Sequence, residues 1–323
     1  MEPGQAARVM RLVDVATDVD GVSPLSEHVL LHLRYGGDQR ARNVLLTTGG
    51  ELTGYAHLDP TDPVEGPSGE MVIDPAHRGK GQGLAVVRTL LAEADGHPLR
   101  LWAHGDAPAA AKLAKAAGFQ RIRALWQMRR SLRSRLDEPS YPAGVSVRTF
   151  VVGQDEDSWV DLNRRAFAKH PEQGAWTRED LRLREREPWF DPDGFFLAER
   201  AGNLIGFHWT KIHGGYQPAS GGPGGRPPGQ APRATAQLAE GQQARSPSHD
   251  HDPIGEVYVV GIDPDQRGGG LGRALTLSGL RYLRSAGLAW AMLYVDETNT
   301  PAIRLYESLG FTHHSTDVMF RHP

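Results

Sequence analysis

Cysteine is absent from the 323-residue chain. That single absence removes disulfides, thiolate nucleophiles and Cys-ligated zinc together, so any thiol chemistry has to come from a ligand. An excess of positive charge is lacking too. With 36 Lys and Arg against 39 Asp and Glu, the net charge of −3 gives no broad basic field for nucleic acid. No apolar run approaches the roughly 20 residues of a membrane span. The opening stretch, MEPGQAARVMRLVDVATDVDG, has no apolar core with basic flank and small-residue cleavage signal. These absences lead us to expect a soluble, cytoplasmic protein that binds neither nucleic acid nor membrane.

What is abundant is glycine, 38 residues, and proline, 23. Two glycine-rich runs follow apolar, strand-like segments: MVIDPAHRGKGQGLAV from Met71 and VVGIDPDQRGGGLGRAL from Val259. They align Ile73 with Ile262, Asp74 with Asp263, Pro75 with Pro264, Arg78 with Arg267, Gly79 with Gly268, Gly81 with Gly270 and Gly83 with Gly272. A second block, Trp102 to Phe119, has its counterpart in Tyr294 to Phe311 at nearly the same offset. Two matched blocks in the same order make this a duplication of whole domains, and the length suits two domains with a core each.

Each half reads as strands, the glycine turn, a helix, another strand and a helix ending in Gly-Phe. NVLLTTGGELTGYAHLDP and GFFLAERAGNLIGFHWTKIH read as hairpins, LAVVRTLLAEA and ALTLSGLRYLRSAG as helices. The polar, proline-punctuated stretch SLRSRLDEPSYPAG reads as a linker, which divides the chain into domains at 1–139 and 140–323. From Gly214 to Pro253 the composition is too rich in Gly, Pro, Ser and Gln to bury a core, and a disordered insert is expected. His249 to Asp252 spell HDHD, but a flexible loop fixes no ligand geometry, so no metal site is expected.

A strand, then Arg-Gly-x-Gly-x-Gly, then a helix presents backbone N–H groups without Cβ obstruction at a positive helix end, which suits a pyrophosphate. Neither turn has the Gly-Lys-Ser/Thr of a triphosphate-binding loop. Neither opens a first βαβ unit as a dinucleotide fingerprint would.

These turns, with the following strand and the helix carrying Asn299, Ala302 and Tyr-Glu-Ser-Leu-Gly-Phe, resemble the GCN5-related N-acetyltransferase superfamily (GNAT). The resemblance implies an α/β (α+β) fold of two tandem acyltransferase domains, each a mixed, mostly antiparallel sheet flanked by helices, with acetyl-CoA on the turns and no metal. WAHGD, QMRRSL, AFAKHPEQGAWT, PWFDPDGFFLAE, GFHWTKIH and GEVYVVGIDP extend it, nearly end to end, to the tandem branch that acetylates the cysteinyl amine of cysteinyl-glucosaminyl-inositol. That implies an enzyme, a monomer, with a small-molecule substrate that carries its own thiol; the lack of protein cysteine is compatible with that chemistry but does not select it. The long insert is the one departure.

Carried over residue by residue, the acetyl-CoA contacts fall on Val260, Gly261 and Ile262, on Arg267, Gly268, Gly269, Gly270, Leu271, Gly272 and Arg273, and on Asn299, Thr300, Pro301, Ala302, Ile303 and Arg304. Their first-half equivalents are Val72, Ile73, Arg78, Gly79, Lys80, Gly81, Gln82 and Gly83. Substrate contacts fall on Glu27, Glu172, Lys211, Glu256 and Tyr294; surface charge is the competing reading for Glu27 and Lys211.

Amine acetylation needs a base for the ammonium proton, a donor for the oxyanion and a proton for the departing thiolate. Glu256, at the start of the EVYVVGI strand, is the candidate base, and the backbone near Val260 the candidate oxyanion donor. Tyr306, where the superfamily commonly holds a tyrosine beside the CoA sulfur, is the candidate acid. In the first half Pro67 aligns opposite Glu256 and Ala114 opposite Tyr306, so that half is expected to bind acetyl-CoA without turning it over. An acetyltransferase for another amine, such as an aminoglycoside or a protein N-terminus, and a non-catalytic acetyl-CoA-binding regulator are the alternatives.

Overall fold

The computed structural model describes residues 1–37, 39–61, 65–168, 171–214 and 253–323. All but the two end residues of the Gly214 to Pro253 tract, the HDHD run included, lie outside the described residues. In chain order the elements are α1 (Pro3–Asp20), α2 (Glu27–Tyr35), β1 (Arg42–Thr48), β2 (Glu51–Asp59), β3 (Ser68–Ile73), α3 (Gln82–Glu93), β4 (Leu99–Ala103), α4 (Pro108–Ala116) and β5 (Gln120–Ser131). Then follow β6 (Val145–Thr149), α5 (Glu156–Ala166), α6 (Pro171–Gly174), α7 (Arg178–Glu185), β7 (Phe195–Arg200), β8 (Asn203–His213), β9 (Ile254–Ile262), α8 (Leu271–Ser285), β10 (Trp290–Asp296), α9 (Thr300–Ser308) and β11 (Thr312–His322).

The chain forms two compact units. The first comprises residues 1–127, 296–298 and 314–323, the second 128–295 and 299–313. A single cut at residue 139 therefore does not describe the packing. Val318 to His322 of β11 pair antiparallel with Ala103 to Leu99 of β4, and this ladder brings the last residues of the chain into the first unit.

In the first unit the strands run β1-β2-β3-β4-β11. β2 is covered on both faces, which accounts for its near-continuous burial. Tyr55 packs with Val9, Leu12 and Val13 of α1 and Val29 of α2, while Ala56 and Leu58 pack with Val86, Val87 and Leu90 of α3. The 3–4 spacing of the buried α1 residues is what an amphipathic helix needs. Proline in its first turn and Gly21 at φ +70° just past its end bound that helix.

In the second unit the order is β10-β9-β8-β7-β6. Its core is aromatic: Phe195 stacks on Phe150 at 4.5 Å and on Trp209 at 4.6 Å, and Trp159 of α5 meets Phe207 edge-on at 5.3 Å. The duplication extends to backbone irregularities. Gly54 pairs with Ile73 as Gly206 pairs with Ile262, and the register shift after Leu46 in β1 recurs after Ala198 in β7. One irregularity is unique to the second unit. Trp209 faces Val259 and Thr210 faces Val257, so Tyr258 is an extra residue bulged out of β9.

Candidate active site

The two glycine turns have the same backbone. Asp74 and Asp263 each accept the N–H two residues on and cap a 3-10 turn at Pro75–His77 and Pro264–Gln266. Arg78 and Arg267 are extended; Gly79 and Gly268 follow at φ +73° and +87°, then Gly81 and Gly270, both at +81°, stand at the N-caps of α3 and α8. These left-handed conformations are why glycine is required, since the space beside all four is open. No side chain caps either helix, so the N–H groups of the first turns stay available at the positive end.

Beside each turn two parallel strands part. β3 and β4 pair only at Ser68–Arg100 and Gly69–Leu101, β9 and β10 only at Gly255–Ala291 and Glu256–Met292. Val260, Gly261 and Ile262 lie beyond that parting in the second unit, Val72 and Ile73 in the first. A splayed strand pair leading to an open anion cradle fits a long ligand with a pyrophosphate in its middle, as acetyl-CoA is.

The arginines of the turns are structural. Arg78 makes a bidentate ion pair with Asp20 at 2.7 Å, Arg267 donates to the Ala166 carbonyl at 3.0 Å, and Arg273 binds Ser308 and Asp137. Lys80 and Gln82 are likewise turned to Ala76 O and Thr48 Oγ1. What the turns present to a phosphate is therefore backbone. Asn299 caps α9 through the Ala302 N–H, which sets the helix holding Thr300, Pro301, Ile303, Arg304 and Tyr306.

Three of the residues expected to contact the acceptor, Lys211, Glu256 and Tyr294, stand on β8, β9 and β10. Lys211 of β8 and Glu256 of β9 are register partners, 8% and 7% exposed. Two residues along β8, His213 shares their face by strand alternation, and its Nε2 lies 2.7 Å from Glu256 Oε2. Tyr294 is on the same face of β10 as Met292, the partner of Glu256, and is 38% exposed. The Lys211 ammonium is lodged between aromatic faces, 4.5 Å from the Trp189 ring centroid and 5.3 Å from that of the bulged Tyr258. Tyr258 is itself held by Arg184 Nε at 2.8 Å, and Arg184 lies over Trp176 at 3.7 Å. Helices α5 to α7 enclose an open cleft of about 550 Å³ lined by Val160, Arg164, Phe167, Trp176 and Arg178. Glu172 stands on the backbone of α6 beside it, its side chain outside the described residues.

Tyr306 is half-buried on α9, edge-on to Phe311 at 5.9 Å. Burial pushes its phenol up to about 12, so it remains protonated through the neutral range.

The first unit differs where chemistry would be done. The extra residue at Tyr258 shifts the alignment upstream of it by one, so the residue opposite Asp59, as Glu256 is opposite Lys211, is Ser68 and not Pro67. Helices α4 and α9 start at equivalent positions, which keeps Ala114 opposite Tyr306. Glu27 is the first residue of α2, half-buried. The preceding Ser26 N–H donates to the buried Glu70 at 2.5 Å, and His104 stands between Glu70 (3.7 Å) and Asp317 (2.9 Å).

Sequence reasoning missed His213, Trp189, Tyr258 and Arg184. The first was findable: two residues from Lys211 in a strand, it had to share that face. The others required the bulge and the packing of α7, neither of which leaves a periodic signal.

The chain matches the profile of the Acetyltransferase (GNAT) family over residues 12–119 and again over 157–311. A protein named mycothiol acetyltransferase from Acidothermus cellulolyticus is 56% identical over 99% of this chain and 92% of its own length. Proteins of the same name from Streptosporangium roseum and Thermobispora bispora are 51% and 54% identical, again over 99% of this chain, and over 97% and 96% of theirs. Among solved structures, a tandem GNAT protein from the clavulanic acid biosynthesis pathway aligns with a TM-score of 0.68 at 17% identity, over 98% of this chain and 94% of that one. A GCN5-related N-acetyltransferase from Sphaerobacter thermophilus aligns with a TM-score of 0.65 at 23% identity, over 99% and 93%.

Proposed function

The chain belongs to the acetyltransferase (GNAT) family, and from that premise we propose that it completes mycothiol, transferring acetyl from acetyl-CoA to the cysteinyl amine of cysteinyl-glucosaminyl-inositol. The observation that carries the substrate is the 51–56% identity, over nearly the whole chain, to proteins named mycothiol acetyltransferase. Fold likeness alone supports only acyl transfer of some kind.

Acetyl-CoA supplies the acetyl group and leaves as a thiol; the residues of the second unit do the rest. The backbone of Arg267 to Arg273 and the end of α8 hold the pyrophosphate. Glu256 takes the ammonium proton of the acceptor, directly or through water, and backbone near Val260, beyond the strand parting, faces the developing oxyanion. Tyr306 serves the departing sulfur. A phenol pushed up to about 12 is a weaker acid than a thiol at about 8.5, so its hydrogen bond stabilises the thiolate as the C–S bond breaks, and the net proton for the sulfur is the one the amine nitrogen loses on becoming an amide. Lys211, Tyr294 and Glu172 bind the hydroxyl-rich acceptor. The first unit keeps the acetyl-CoA cradle but has Ser68 and Ala114 where the second has Glu256 and Tyr306. Neither serves as a carboxylate base or a phenolic acid, and we read this unit as binding without turnover.

The test is thiol release from acetyl-CoA with a panel of amines, cysteinyl-glucosaminyl-inositol among them. Selective turnover of that conjugate is expected. Turnover of an aminoglycoside but not of the conjugate would overturn the substrate assignment.

A further inference from the structure

We infer that His213 is a positioning residue for the base: its ring N–H holds one oxygen of the Glu256 carboxylate, so that only the other oxygen meets the acceptor's amine. This rests on Glu256 being the base, and goes beyond it by naming the group that aims it.

The geometry follows from the ladder. Lys211 faces Glu256 across β8 and β9, and His213, two residues farther along β8, stands diagonally opposite on the same face. A glutamate has three side-chain torsions, the last of which turns the carboxylate, and Glu256 is buried. One fixed hydrogen bond removes that freedom. The 2.7 Å contact runs from His213 Nε2 to Oε2 of Glu256. An acceptor-only carboxylate requires the imidazole to be the donor there, so Nε2 carries the hydrogen. The donor is the more exposed of the two, its side chain 34% exposed against 9% for Glu256.

Lys211 Nζ is lodged against Trp189 and Tyr258, an arrangement that holds the ammonium by ring faces. The division of labour is thus a lysine held by aromatic rings and a carboxylate held by a histidine, on adjacent strands. A base within a nucleophile–base–orienter chain needs this third member, because misaiming the accepting oxygen loses rate without losing binding.

The test compares His213→Leu, His213→Asn and His213→Gln in the full chain, measuring kcat, KM for acetyl-CoA and acetyl-CoA affinity with cysteinyl-glucosaminyl-inositol as acceptor. The amide nitrogen of Gln reaches about as far as Nε2 of His; that of Asn does not. A charge-assisted hydrogen bond sets the scale, so Leu and Asn should each lower kcat roughly tenfold to a hundredfold with KM for acetyl-CoA unchanged. Gln should recover kcat to within about threefold of the parent. Combining His213→Leu with Glu256→Gln should lose no more than Glu256→Gln alone. Should the Leu variant not fold, the contrast between Asn and Gln decides. Equal kcat in Asn and Gln, whether both high or both low, overturns the inference when Glu256→Gln is itself inactive. Parental turnover in Glu256→Gln instead overturns the base assignment, and the inference with it.

Discussion

Asp317→Asn should weaken the first unit by about 3 kcal/mol at neutral pH, by stripping the nearer counter-ion from a buried imidazolium. His104 Nδ1 lies 2.9 Å from Asp317 Oδ2 and Nε2 lies 3.7 Å from Glu70 Oε2, with side chains 13%, 9% and 8% exposed. Desolvation opposes the charge on His104, but the hydrogen bonds to Asp317 and Glu70 outweigh it and push the ring up to about 10. Against about 6.5 in the unfolded chain, that shift corresponds to at most roughly 5 kcal/mol. Glu70 remains in the variant, which brings the expected loss down to about 3. Because the folded value is the higher one, this stabilisation is complete below pH 6.5 and is lost as pH rises toward 10. Asparagine is nearly isosteric and can still accept the Gly105 N–H that Asp317 Oδ1 takes at 2.9 Å. Its amide N–H₂, however, would face the His104 N–H, donor against donor. Since Asp317 lies on β11, beside the ladder to β4, the assay is hydrogen exchange of the Leu99–Ala103 amides. Protection should fall about a hundredfold. The gap in unfolding free energy between parent and variant should also narrow between pH 6 and pH 10. Protection within about threefold of the parent, or a gap constant across that range, would refute the reasoning.

Glu256→Gln should lower kcat by roughly 10²-fold or more near neutral pH, and Tyr306→Phe should slow turnover with acetyl-CoA affinity unchanged in both, read by steady-state kinetics and equilibrium binding. Tyr306 donates only while protonated, and with its phenol at about 12 it should contribute no alkaline loss of rate below about pH 11. Gly270→Ala forces a side chain into φ +81° and should cost about 1–2 kcal/mol of stability, with weaker acetyl-CoA binding by titration calorimetry; unchanged binding would mean that the cradle does not need this conformation. His208 is fully buried, donates its Nδ1–H to the Leu275 carbonyl, and is pushed down to about 4 by desolvation. Its folded value lies below the unfolded 6.5, so the unfolding free energy should fall by roughly 3 kcal/mol as pH drops from 6.5 to 4, a slope that urea titrations at stepped pH would reveal.

Much of the fold was legible because repetition and periodicity are local signals. Asn43 to Asp59 and Phe195 to His213 are strand-like runs that turn on Gly-Gly and Ala-Gly, so both hairpins could be drawn from the letters, and both formed as β1–β2 and β7–β8. The cradle was legible for the same reason: the glycines that need φ above zero identify themselves. Equivalence of residues across the two halves was less secure. A bulge adds a residue without changing the pattern on either side of it, and so Pro67 seemed to stand opposite Glu256 when Ser68 does.

The letters alone determined that the chain holds two copies of one α/β unit, that each carries the same glycine turn before a helix, and that the carboxylate and phenol proposed for acid–base work occur in the second copy only. These follow from residue identity at fixed spacing, because φ preferences, strand alternation and the kind of ionisable group belong to the residue itself. Tertiary structure decided three other things. It returned the last strand to the first unit, where Asp317 meets His104 over a separation of 213 residues. It set the lysine of β8 against Trp189 and Tyr258, and it gave the carboxylate of Glu256 to His213. Each depends on which segments far apart in sequence become neighbours, and that is settled by burial of the whole core and by strand register, for which no short stretch carries the information.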